Sequence, residues 1–335
     1  MSKMLNGLIS HDQITRQLGE GKYDSQYLWQ QVKPMVREIC TQDEWVVVCV
    51  DDTIEEKPYT DESELICWHF DHTINRAVKG VNFLTASINT HGTTLPCAVE
   101  FVRKDVWQQD KKTGKLKRKS SKTKNKLYCQ MLAVCQQNFP FDYVVNDSWY
   151  SSHENMLFVK EQLGRHFVMA LKSNRKAALR RKDKEEGHSQ GIESLQPGQQ
   201  PMEIWLEGLN FPLLLVKQVF KNEDGTEGVL YLACSDVSLG YEQITAIYKR
   251  RWSAEVYHKS LKSNAGFAKS PTKTITTQTS HFILSILAYV KLEWLRMRNN
   301  LNHFALKALI YQAALKAAYK ELKNLSTPAT QKIAF

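Results

Sequence analysis

Apolar residues change their period several times along this chain, and the changes outline alternating helices and strands. Leu28, Trp29, Val32, Met35, Val36 and Ile39 recur at three- and four-residue spacing, so residues 1–44 read as a helical segment that Pro34 should kink or interrupt. Residues 45–50 (Trp-Val-Val-Val-Cys-Val) are instead a continuous run rich in β-branched side chains, the pattern of a buried strand, and they lead into Asp51-Asp52-Thr53. Residues 81–89 and 93–102 read as two more strands joined through a turn at Thr90-His91-Gly92. A helix over 127–137 follows, then a strand over 141–147 ending in Asp147, a helix opening at residues 148–152, and a strand over 166–171.

Beyond residue 172 the pattern becomes strand-rich. A Gly-, Gln- and Pro-containing loop (187–201) precedes β-type runs at 202–206 and 212–220, and a turn at 222–226 leads into a third at 229–233. From Tyr241 the chain reads helical to about residue 325, broken by a Ser-, Pro- and Thr-rich stretch at 270–279. The order of elements predicts a mixed α/β core carrying a β-rich insertion, with helical segments at both ends. The expected divisions are a helical N-terminal segment (1–44), the first part of the core (45–172), the insertion (173–240), a core helix (241–269) and a helical C-terminal region (270–335).

Composition narrows the class. Hydrophobic residues make up 42% of the 335, so a core can form and global disorder is excluded. The seven cysteines are odd in number and contain no CxxC, which argues against a disulfide framework or a zinc ribbon and fits a reducing cytoplasm. Residues 282–290, the most apolar run, reach about half the length of a membrane span, and no secretory leader pattern opens the chain. The formal charge is +10, and residues 103–126 alone carry eleven Lys/Arg against two Asp, a surplus of +9. That block suits a polyanionic partner, with Lys115, Lys117, Arg118 and Lys119 at its centre, although a solvated loop would look the same. Residues 172–184 form a second basic stretch.

The candidate chemistry begins with carboxylates. Asp51 and Asp147 each stand where an apolar strand gives way to polar chain. Two such carboxylates on neighbouring strands make a site for a hard cation, whereas either one alone could simply cap the next helix. A helix over 248–262 adds Glu255. At 100° per residue Tyr248, Arg251, Glu255 and Lys262 fall within roughly 60° of one another, with Lys259 beside them. A carboxylate among phosphate-binding cations explains this face better than exposed ion pairs do.

The run Y-x2-R-x3-E-x6-K at Tyr248, Arg251, Glu255 and Lys262 resembles the YREK signature of DDE transposases of bacterial insertion sequences, the insertion sequence four-like branch. Cys-Val-Asp51-Asp-Thr53 is similar to the first aspartate strand of that family, and Val-Val-Asn-Asp147-Ser-Trp-Tyr to the second. The 107 residues between Asp147 and Glu255 would hold the family's β-rich insertion. The resemblance spans about residues 45–300 and implies an RNase H-like core, with Asp51, Asp147 and Glu255 as catalytic metal ligands. It further implies two Mg²⁺ ions replaceable by Mn²⁺, and DNA cleavage followed by strand transfer. Tyr248, Arg251, Lys259 and Lys262 would meet phosphates of double-stranded transposon-end and target DNA. A homodimer would join the two ends in the bacterial cytoplasm, at the nucleoid.

Three points stay open on the residues alone. Asp52 could replace Asp51 as first ligand, because adjacent strand residues project to opposite faces. Cys67, His69, Asp71 and His72 are ligand-type residues that match no zinc spacing and fit a hairpin better than a DNA or active-site contact. Trp205, in the insertion, fits a core position better than a base-stacking one. The rival functions are a structure-selective RNase H-like nuclease without strand transfer, and a DNA-binding regulator that keeps the fold without the chemistry.

Overall fold

A computed structural model describes residues 9–111, 114–198, 200–221, 225–270 and 272–326. Lys112 of the basic block and residues 222–224 of the expected turn lie outside them, as do residues 1–8 of the N-terminal segment. The chain divides into two compact units, one formed by residues 25–259 and the other by the segments up to residue 24 and from 260 onward.

The larger unit is organised around β1 (Val47–Glu56). Its first four residues are buried valines and a cysteine, which suits a strand covered on both faces. β1 runs antiparallel to β3 (Arg76–Thr90) in continuous register from Val47↔Asn89 to Glu56↔Gly80. On its other side it runs parallel to β7 (Tyr143–Asn146), but only from Val47↔Tyr143 to Cys49↔Val145. β7 in turn pairs in parallel with β8 (His166–Leu171), and β4 (Thr93–Phe101) folds back on β3. The β3–β4 turn places His91 (φ 47°) and Gly92 (φ 65°) both in the left-handed region, as a two-residue hairpin turn requires. The resulting order β4–β3–β1–β7–β8, three antiparallel strands followed by two parallel ones, is the RNase H-like arrangement.

Two local features, at β1 and at Pro34, differ from the sequence expectations, and the hairpin favoured for residues 67–72 is present. β1 does not stop at Asp51, because β3 pairs with it as far as Glu56. β2 (Cys67–Asp71) pairs with the first part of β3, so Cys67, His69, Asp71 and His72 belong to a β-hairpin. The helix α2 (Ser25–Ile39) continues through Pro34 without interruption. Its buried face of Leu28, Trp29, Val32, Met35, Val36 and Ile39 packs on β4, and that burial outweighs the backbone bond that proline removes.

The residues after β8 extend the same sheet instead of forming a separate one. β9 (Lys176–Ala178), β10 (Gln190–Gly191), β11 (Met202–Leu206), β12 (Leu213–Lys221) and β13 (Glu227–Cys234) continue it in the order β8–β13–β12–β11–β9–β10. β13 occupies the open edge of β8 from Tyr231↔Leu171 to Cys234↔Val168. Residues 167–171 of β8 are buried, so an unpaired edge there would strand backbone groups away from water. The described part of the basic block carries regular elements. β5 (Val106–Gln109) and β6 (Leu116–Lys119) form a separate exposed hairpin, and α3 (Lys124–Asn138) starts under a Thr123 cap.

The second unit contains α1 (His11–Glu20), α8 (Ile275–Asn299) and α9 (His303–Ser326). α1 packs on α8, whose Phe282, Ile283, Ile286, Tyr289 and Val290 are buried at helical spacing. α8 ends at Asn300 in the left-handed conformation (φ 53°), and the Asn302 side chain accepts the Ala305 amide to open α9. No helix among the described residues is long and apolar enough to cross a membrane.

Candidate active site

The register of β1 and β7 decides which carboxylates meet. Cys49 pairs with Val145, and both side chains join Val47, Tyr143, Tyr248 and Ala254 in one apolar cluster. Side chains alternate along a strand, so Asp51, two residues past Cys49, emerges on that same face. Asp147 emerges two residues past Val145, just where β7 ends. The two carboxylates therefore arrive side by side, facing the helices that carry Tyr248 and Ala254. Asp52 takes the opposite face, where it accepts from Tyr150 Oη at 2.5 Å and from Lys124 Nζ at 2.6 Å. Tyr150 stacks on Tyr128 of α3, with ring centroids 5.4 Å apart. Asp52 is thus held by α3 and its surroundings.

The helix expected over 248–262 is in fact two, α6 (Tyr241–Lys249) and α7 (Trp252–Asn264). Tight turns join them, with Arg250 and Arg251 amides bonding to the carbonyls of Ile247 and Tyr248. The Arg250 guanidinium is tied to Glu44 at 2.5 Å and to the Trp45 carbonyl at 2.8 Å, which fixes the break against the start of β1. A continuous-helix wheel therefore does not relate Tyr248 to Glu255. Tyr248 is buried in the cluster and hydrogen-bonded to Arg251, and burial foremost pushes its phenol up to about 12.

An open cleft of about 650 Å³ collects Asp51, Asp147, Arg251 and Glu255, with Asp52 and Lys124 at one side. Burial, followed by the charges of Asp147 and Asp52, pushes the Asp51 carboxyl up to about 7. Burial also raises Asp147, against the pull of the Trp149 amide and Arg251. The Trp149 amide donates to Asp147 Oδ1 at 3.0 Å, while buried Asn146 and Ser151 hold the Asp147 carbonyl at 2.8 Å each. Glu255 is half-exposed and bound to Arg251 at 2.6 Å.

Sequence reasoning missed His258. It lies one turn beyond Glu255, is buried against Phe83, and approaches Asp51 Oδ2 to 3.7 Å through Nδ1. Its spacing of three from Glu255 was the available signal, but only the fold shows that β1 passes beneath it. A rim of rings borders the cleft: Phe70, His72 and Trp149 follow one another at centroid distances of 4.9 and 5.0 Å, so part of the 67–72 run does reach the site.

The other expected residues lie elsewhere. Lys259 is exposed on α7, and Lys262 is half-buried two turns beyond Glu255. Lys115, Lys117, Arg118 and Lys119 lie on or beside the β5–β6 hairpin and do not line the cleft. Arg118 stacks over Trp107 at 4.4 Å, and Lys117 pairs with Asp110. Trp205 is half-buried with the Arg181 guanidinium 6.0 Å from its ring centre.

Comparison with known families bears directly on this cleft. The sequence model of the DDE superfamily endonucleases matches residues 1–201, three fifths of the chain. The chain belongs to that superfamily. A second family, described as the transposase DDE domain, matches residues 115–291. Asp51 lies in the first DDE match, Glu255 in the second and Asp147 in both. No curated protein matches the chain. As a DDE transposase-type endonuclease it is an enzyme of transposition-type DNA cleavage, and such enzymes bind DNA and generally use divalent metals.

The DDE cleft suits a divalent ion in part. Asp51 and Asp147 are hard oxygen donors, forced together at the cost of a raised carboxyl pKa that a cation would relieve. Among the described residues, no group of three or more His, Cys, Asp or Glu stands ready around one point. Glu255, the remaining acid on the Arg251 side, is occupied by that arginine.

Proposed function

We propose that the protein is a cut-and-paste transposase of the YREK, insertion sequence four-like branch, acting on double-stranded DNA at the terminal inverted repeats of its element. The reading is carried by the juxtaposition of Asp51 and Asp147, two residues past the last paired positions of β1 and β7, in one cleft with Glu255 of α7 and with Arg251 from the turn before that helix. Asp51, Asp147 and Glu255 are the catalytic ligands of two Mg²⁺ ions, for which Mn²⁺ substitutes. Ions held there would supply Lewis-acid activation of an attacking oxygen and charge stabilisation for a leaving oxygen of a DNA phosphodiester.

The side chains of this chain have distinct tasks in that scheme. Asp51 and Asp147 supply the negative charge that draws the cations, and the hydrogen bonds at Asn146, Trp149 and Ser151 fix Asp147 for it. Glu255 lines the same cleft and would complete the ligand set on exchanging its Arg251 partner for a cation. The released guanidinium is then free for a phosphate oxygen, a bidentate partner for which arginine is well shaped. Buried Tyr248 sets the Arg251 position, and Lys259 and Lys262 add point charges along the DNA. The β5–β6 hairpin, with Lys115, Lys117, Arg118 and Lys119, grips the duplex further out. Two copies work together, because two transposon ends must be brought to one place.

The test uses duplex DNA carrying the inverted repeats that flank the gene. Asp51→Asn, Asp147→Asn and Glu255→Gln should each abolish Mg²⁺-dependent cleavage while binding, read by fluorescence anisotropy, stays within a few-fold of the parent. Normal cleavage by Glu255→Gln would overturn the assignment. Joining of cleaved ends to a target plasmid separates a transposase from a nuclease that only cuts.

A further inference from the structure

The parallel ladder between β1 and β7 ends at Cys49↔Val145, so the spacing of Asp51 and Asp147 is not set by ladder pairing. On its far side Asp51 is still held, opposite Thr85 of β3. The Asp147 charge bears on Asp51, so the two strand ends repel one another. Side chains bridge this gap. Tyr150, three residues past Asp147 and fully buried, donates through Oη to Asp52 Oδ1 at 2.5 Å. The Asp52 amide in turn donates to Asp51 Oδ1 at 2.9 Å. Tyr150 is itself fixed, because buried Asn155 donates through Nδ2 to its carbonyl at 2.9 Å and its ring lies 11° from the plane of Tyr128. Tyr128 Oη donates to Asn146 Oδ1 at 2.9 Å, and Asn146 Nδ2 donates to the Asp147 carbonyl. A buried circuit therefore runs from Asp51 through Asp52, Tyr150, Tyr128 and Asn146 to Asp147.

We infer that Tyr150 is a positioning residue for the cation site: its hydroxyl, bonded to Asp52, fixes the separation of Asp51 and Asp147 where the backbone ladder has stopped. Lys124 also holds Asp52, but it does so from α3, whereas Tyr150 belongs to the continuation of the strand that carries Asp147. The bond has a second effect. It keeps the Asp52 carboxylate on the face away from Asp51, so that a third negative charge does not enter the space between the two ligands. Burial, followed by the Asp52 charge, holds the Tyr150 phenol protonated well above its ordinary range, so it stays a donor wherever the enzyme works. A residue that orients a ligand through a hydrogen bond changes metal affinity without touching the metal. That is the property that separates this role from simple packing, in which the ring alone would matter.

The inference rests on the proposed reading of Asp51 and Asp147 as cation ligands, and its test keeps the two apart. Mn²⁺ binding to the full-length, DNA-free protein is read from the loss of the free-ion electron paramagnetic resonance signal, with circular dichroism as the control for folding. Tyr150→Phe keeps the ring and its stacking on Tyr128 and deletes only the hydroxyl. It should raise the Mn²⁺ dissociation constant about tenfold, and cleavage should need about tenfold more Mg²⁺ to reach half its maximum, with DNA binding unchanged. In an Asp52→Ala background the same change should have no further effect, because the acceptor is already gone. Tyr143→Phe is the matched control: it removes a phenol bond to Asp236 Oδ2 of 2.9 Å from the other end of β7 and should leave Mn²⁺ affinity as in the parent. A Tyr150→Phe protein that loses thermal stability but keeps the parent's Mn²⁺ affinity makes Tyr150 a packing residue and overturns the inference. Independent, additive losses from Tyr150→Phe and Asp52→Ala overturn it as well. Equal Mn²⁺ binding by the parent and Asp51→Asn overturns the reading of the cleft instead, and the inference falls with it.

Discussion

Replacing Asp51 by asparagine should stabilise the cation-free protein at alkaline pH and leave it almost unchanged in acid. The reasoning starts from a carboxyl that burial, and then the Asp147 and Asp52 charges, lift from 3.8 in the ordinary state to about 7 in the fold. A raised acid binds its proton more tightly when folded than when unfolded, so its ionisation destabilises the fold. The penalty is absent below the unfolded value, grows as pH rises between 3.8 and about 7, and is complete above that. Three units at about 1.4 kcal/mol each give an upper bound of about 4 kcal/mol. The cleft admits water, and Arg251 and His258 stand nearby, so the expected gain for Asp51→Asn at pH 8 is about 1–3 kcal/mol. Thermal unfolding in EDTA at pH 4 and pH 8 measures it, as a rise in Tm of several degrees at pH 8 alone. Adding Mg²⁺ should stabilise the parent and not the variant, since the cation relieves the same repulsion. An equal effect at both pH values would mean that a packing change, not charge, is responsible, and no effect at pH 8 would refute the electrostatic picture.

Asp52→Asn should behave differently from Asp51→Asn. It weakens the Tyr150 and Lys124 contacts and should cost about 1–3 kcal/mol of stability while Mg²⁺-dependent cleavage is reduced but retained. Replacing Lys115, Lys117, Arg118 and Lys119 by alanine should lower the slope of log binding constant against log salt by about 2–4, equally for terminal-repeat and random DNA. Anisotropy at several salt concentrations reads the slope, and an unchanged value would make the hairpin a bystander. Glu293→Ala removes a buried acceptor that Arg296 holds at 2.8 and 2.9 Å and His303 approaches to 2.8 Å. It should destabilise the helical unit by about 3–5 kcal/mol, toward the lower end because Arg296 is partly exposed, and an unchanged Tm would refute it.

The chain's own order of residues determined the kind of fold and most of the chemistry it presents. The valine-rich run before Asp51, the apolar run before Asp147 and the turn at His91-Gly92 each follow from local rules, because strand alternation and turn conformation depend on neighbours a few residues away. Asp51, Asp147, Arg251 and Glu255 were legible in the same way, as residue types at recognisable positions. Three things were not legible, and each rests on contacts between distant segments. Asp51 and Asp52 are equivalent in sequence. They part only because β3 keeps β1 extended through both, sending one toward Glu255 and the other to Lys124 and Tyr150. The break between α6 and α7 has no local breaker, and it is set by Arg250 reaching Glu44 and Trp45 some two hundred residues away. His258 looked like any polar helix residue until β1 was found to carry Asp51 to within 3.7 Å of it. Local periodicity fixes which face a side chain takes along its own element, but pairing and packing across the chain decide what that face meets.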